Sequence, residues 1–62
     1  MKSLEVQALL IATIDLLSAR KIGELKARTI LESSLHFGNT NPEAWSLIGP
    51  ECEILEAMIE DL

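Results

Sequence analysis

Residues 3–22 read SLEVQALLIATIDLLSARKI, and the reading of this stretch decides the fold. Ser3 offers a side-chain oxygen to cap a helix, and Glu5 falls in the first turn, where the helix dipole favours an anion. No Gly or Pro follows until Gly23, so the spacing predicts a first helix over 4–22. At 100° per residue, Val6, Leu10, Ile14 and Leu17 form one stripe, Leu4, Ile11 and Ile22 a second, and Leu9 with Leu16 a third. A helix that is apolar on nearly every side must be covered on more than one side. A chain of 62 residues has too little other material to do so. The expectation is therefore a partner or a second copy, met by Leu9, Leu10, Ile14, Leu16 and Leu17 on this helix.

Working outward, Glu24 to Phe37 is amphipathic on one side only. Ala27, Ile30, Leu31, Ser34 and Leu35 share a face, while Lys26, Arg28, Glu32, Ser33 and His36 lie mostly outside it. The second helix is expected over 24–37, with Gly38 as a left-handed C-terminal cap. Asn41, Pro42 and Glu43 read as N-cap, N1 and N2 of a third helix over 42–62. Pro50, after Gly49, predicts a kink or break inside it. Beyond Pro50, Ile54, Leu55, Met58, Ile59 and Leu62 fall in one arc opposite Glu53, Glu56 and Glu60. Trp45, with Leu47 and Ile48 nearby, is either a core anchor or an interface hot spot, and Trp45 and Ile48 join the candidate partner-binding residues. The fold class is all-α: one helical domain spanning 1–62, a small hairpin or three-helix unit, oligomeric or partner-bound.

Composition agrees. The chain is 48% hydrophobic with only two aromatics, Phe37 and Trp45, and no tyrosine, which favours helix packing over a β-sandwich or barrel. The apolar run from Val6 to Leu17 holds Gln7, Thr13 and Asp15 and is shorter than the roughly 20 residues of a membrane span. Lys2, that run and Ser18 with Ala19 imitate a secretory signal loosely, but Asp15 interrupts it. One unpaired cysteine, Cys52, suits a reducing compartment, and a cytoplasmic location is expected.

Residues 1–31 hold five basic and three acidic side chains, whereas residues 32–62 hold seven acidic and none basic. Such a chain repels phosphate, which argues against nucleic-acid binding. The acidic half is either a solvated face or a docking surface for a basic partner. Cys52 and His36 are too few for a zinc site and lie sixteen residues apart. His36 suits a helix C-terminus, and Cys52 a small core position. Glu53, Glu56 and Glu60 share a face that reads as solvated and, without paired histidines, not as a metal centre. No phosphate loop or Ser/His/Asp set can be assembled. No enzyme activity, cofactor, metal or small-molecule substrate is therefore expected.

From Ala27 to Gly49 the pattern resembles a tetratricopeptide repeat, over about one and a half repeats. Ala27 and Ser34 would be its small packing positions and Leu31 a large one, with Asn41 to Trp45, Ile48 and Gly49 opening the next repeat. Ile14 and Asp15 depart from the family's leucine-glycine pair, as Pro50 does from its continuous helix. The chain also resembles the small helical-hairpin co-chaperones of type III secretion needle subunits. It carries a similar early pair, Leu4-Glu5, a glycine turn at Gly38 followed by Pro42-Glu43, and a late Leu55-Glu56 running to Ile59. That resemblance implies a cytoplasmic protein that pairs with a repeat-like chaperone and keeps an aggregation-prone subunit soluble. Both resemblances imply a helical adaptor. The alternative is a small acidic inhibitor whose last helix occupies a basic site on its target.

Overall fold

In the computed structural model, which describes residues 2–62, α1 runs Lys2–Ser18, α2 Glu24–Thr40 and α3 Trp45–Glu60. A 3-10 turn, Pro42–Ala44, leads into α3, and no strand occurs among the described residues. Each connection reverses the chain, so α3 runs in the same direction as α1. All three helices pack on one another, an all-α unit as the patterning predicts.

α1 ends four residues before the expected Ile22. Its stop is a Schellman motif: the Lys21 amide donates to the Leu16 carbonyl at 2.8 Å, and the Arg20 amide to Leu17 at 3.0 Å. Arg20 takes the left-handed position, φ 58°, usually left to glycine. Gly23 instead is extended and serves as the N-cap of α2, without a side-chain cap. Ser3 is not the cap of α1, because the helix already includes Lys2 and Ser3 is buried within it.

α2 runs past Gly38 to Thr40, so this glycine is no cap. It is buried, and a Cβ there would lie 2.5, 2.6 and 2.7 Å from Cζ2, Cε2 and Cη2 of Trp45. The indole therefore rests directly on the α2 backbone, which only glycine allows. The helix ends where Asn41 donates to the Phe37 carbonyl twice, from its backbone amide at 2.9 Å and from Nδ2 at 3.0 Å. Pro42 then opens the 3-10 turn at N1, with Asn41 as its N-cap, as read from the sequence.

Pro50 does not break α3, which is continuous through it. Its missing N–H removes the usual donor to the Ser46 carbonyl, at a point where both Ser46 and Pro50 are exposed.

The core comprises Leu10 and Leu17 of α1, Ala27 and Leu31 of α2, Ala44 of the 3-10 turn, and Ile48, Cys52, Leu55 and Ile59 of α3. α2 buries the face expected of it, Ala27, Leu31 and Ser34. Two buried hydroxyls are satisfied within their own helices, Thr13 on the Leu9 carbonyl at 2.7 Å and Ser34 on Ile30 at 2.9 Å.

Candidate partner-binding surface

α1 carries the surface. Ser3, Leu10, Thr13 and Leu17 face inward, with Val6, Gln7 and Ile14 half-buried beside them. On both sides of this buried strip the side chains are again large and apolar: Leu4 is 53% exposed, Leu9 48%, Ile11 44% and Leu16 40%. At 100° per residue, Leu9 and Leu16 lie about 100–120° from Leu10 in one sense, and Leu4 and Ile11 as far in the other. The Gln7 side-chain amide, on the Leu4 and Ile11 side, donates to the Leu47 carbonyl at 3.3 Å and so assigns that flank to α3. Leu9 and Leu16 accordingly border α2. Two helices cannot wrap a third completely, and α1 is left with two apolar shoulders.

The residues expected to bind a partner do not form one face. Leu10, Leu17 and Ile48 are 0%, 7% and 0% exposed, so they belong to the core and are not available to a partner. The reason is geometric: in a helix apolar all round, one stripe must face the other two helices, and it is this one. Ile14 is half-buried against the same core. Trp45 is also half-buried, but on Gly38 between α2 and α3, away from the shoulders of α1. Leu9 and Leu16 remain at the surface as expected. The expected set omitted Leu4, Ile11 and Ile54, the last 48% exposed on α3. Their signal was present in the second stripe of α1 and in the α3 arc.

Electrostatically the surface is one-sided. The one ion pair among the described residues joins Arg28 Nε to Glu24 Oε2 at 2.7 Å within α2, exposed and one helical turn apart. Such a pair contributes about 0.3–0.5 kcal/mol at most. Glu53, Glu56 and Glu60 are all exposed. Cys52 is buried, and its thiol is pushed above its ordinary range by burial first, then by the charges of Glu56 and Glu51. A neutral thiol in this position is a packing group and a poor nucleophile. His36 is exposed near the end of α2.

At the end where α1 stops and α2 begins, an open depression lies among Leu17, Arg20, Ile22, Glu24, Asp61 and Leu62. It mixes both charge signs on apolar walls. Among the described residues no three His, Cys, Asp or Glu side chains converge as a metal site, and no helix is long and apolar enough to cross a membrane. The chain matches no known protein family, no curated protein and no solved structure.

Proposed function

We propose that the chain is a protein-interaction module, a small helical adaptor or co-chaperone of the cytoplasm, whose α1 packs its uncovered shoulders on another protein or on a second copy. One observation carries this reading: Leu4, Leu9, Ile11 and Leu16 are each 40–53% exposed along a single helix. Covering them contributes roughly 1 kcal/mol per side chain, which a marginal domain of this size needs. The resemblance to needle-subunit co-chaperones and to tetratricopeptide repeats supports the same role, since both work by presenting helices to a partner. The test is affinity capture with the wild-type chain beside a variant carrying Leu4→Ser, Leu9→Ser, Ile11→Ser and Leu16→Ser. The reading expects partners that the variant loses while keeping its helical spectrum; identical captures from both refute it.

The acidic-inhibitor reading draws on α3, where Glu53, Glu56 and Glu60 stand exposed with no cation among the described residues paired to them. Replacing the three by Lys separates the two readings. Binding is abolished if these carboxylates hold a basic target, and is largely kept if the shoulders of α1 hold the partner.

A further inference from the structure

Lys2, Glu5, Leu9, Ala12, Leu16 and Ala19 follow one another along α1 at alternating spacings of three and four residues. That repeat keeps one line of side chains turned toward a neighbouring helix over several turns. All six are exposed, and the two large members, Leu9 and Leu16, are 48% and 40% so. Between these two stands Ala12, with Ala8 beside it, so that another helix can come close at the middle of the line. Asp15, Leu4 and Ile11 lie about 90–130° around the helix from that middle, on the opposite flank.

Charge adds a direction. Lys2, Glu5 and Asp15 are the charged side chains on the exposed half of α1, and Arg20 and Lys21 follow at its end. Arg20 shares the depression there with Glu24 and Asp61, and Glu24 is taken up by Arg28, which leaves two cations against Asp61. A parallel pair of such helices sets Lys2 level with Lys2, Glu5 with Glu5 and Asp15 with Asp15, each a like-charge pair. Turned antiparallel, with Leu9 of one copy over Leu16 of the other, Glu5 comes level with the second copy's Arg20, next to Lys21. Lys2 then comes level with Gly23, beside Glu24.

We infer that this line is the contact of a symmetric antiparallel homodimer, α1 lying on α1 of a second copy with Leu9 of each over Leu16 of the other. The two-fold axis passes beside Ala12, and it repeats the Leu9–Leu16 and Glu5–Arg20 contacts at both ends. The face is thus complementary to itself, which an interface with an unrelated protein does not require. A 17-residue helix is about 26 Å long and about 10 Å wide. Laid on its twin it buries on the order of 500 Å² per copy, against about 800 Å² per partner in a stable complex, so the dimer is weak and reversible. This inference rests on the protein-binding reading above and adds the partner, its direction and the side of α1 it uses.

The experiment uses the full chain. Sedimentation equilibrium over about 5–500 µM should give a monomer–dimer Kd of about 10–100 µM. Leu9→Ser with Leu16→Ser should weaken the dimer at least thirtyfold, while Leu4→Ser with Ile11→Ser should change it by less than about threefold. Circular dichroism confirms that both variants are folded. Direction is read by oxidation in a Cys52→Ala background. Two copies of Ala12→Cys meet at the two-fold axis and should form a disulfide. Two copies of Glu5→Cys stand about 22 Å apart along the helices and should not. Equal cross-linking of Glu5→Cys and Ala12→Cys shows a parallel pair and overturns the inference, as does a dimer that depends on Leu4 and Ile11; either leaves the protein-binding reading standing. A chain that stays monomeric to about 500 µM but binds a hydrophobic dye, and loses the dye on Leu9→Ser with Leu16→Ser, overturns the second copy as occupant and again leaves that reading standing. A monomer that leaves the dye dark removes both.

Discussion

Gly38→Ala is the most informative single substitution. In the middle of an ordinary exposed helix this change stabilises by about 1 kcal/mol, because alanine restricts the unfolded backbone. At Gly38 the new methyl falls 2.5–2.7 Å from three atoms of the Trp45 ring. Carbon atoms rest at about 3.5–4.0 Å, so the indole must retreat by roughly 1 Å or leave its seat. Such overpacking costs about 1–3 kcal/mol, and ejecting the ring forfeits a similar amount of burial. The net expectation is destabilisation by about 1–2 kcal/mol, a fall in Tm of roughly 5–15 °C for a domain of this size. Thermal unfolding followed by circular dichroism measures it. The control is the same change in a Trp45→Ala background, where the obstacle is absent and the sign should reverse to a gain of about 1 kcal/mol. A rise in Tm on Gly38→Ala in the wild-type chain refutes the packing of Trp45 on α2.

Arg20→Gly should raise stability by about 1 kcal/mol, read as a higher urea midpoint at unchanged slope, because Arg20 holds the left-handed φ that closes α1. Ile48→Ala, which empties a fully buried site, should cost about 3 kcal/mol and leave no cooperative thermal transition in so small a domain. For Cys52 the sign follows from burial, which favours the neutral thiol, so its pKa is higher in the folded chain than in the unfolded one. Its contribution to stability is complete below the unfolded thiol's pKa of about 8.5 and is lost as pH rises from there through the folded value. Tm measured against pH should therefore fall more steeply on the alkaline side in the wild-type chain than in Cys52→Ala; parallel curves contradict this.

The parts of the fold set by local pattern were legible. α2 has a polar side, so its buried Ala27, Leu31 and Ser34 could be read directly. The turn at Asn41 and Pro42 follows from chemistry carried by those residues themselves. α1 lacks such a marker: with apolar side chains on every side, nothing local says whether Leu10 and Leu17 or Leu9 and Leu16 turn inward. That choice belongs to α2 and α3, and for this reason only part of the expected binding set lies at the surface. Gly38 was misread for a related reason. Glycine near a helix end signals a cap, but here the requirement comes from Trp45, across a turn. The end of α1 shows the converse, with Arg20 and not the nearby Gly23 in the left-handed position. Pro50 stands within a continuous helix at a position where it and Ser46 are exposed, which its place in the sequence does not reveal.

The central claim, that α1 keeps two apolar shoulders for another surface, is tested most directly on the purified chain. Sedimentation velocity at micromolar concentration, paired with fluorescence of a hydrophobic dye, compares the wild type with the variant carrying Leu4→Ser, Leu9→Ser, Ile11→Ser and Leu16→Ser. The wild type should self-associate or bind the dye strongly, and the folded variant should do neither. A wild-type chain that sediments as a stable monomer and leaves the dye dark contradicts the claim.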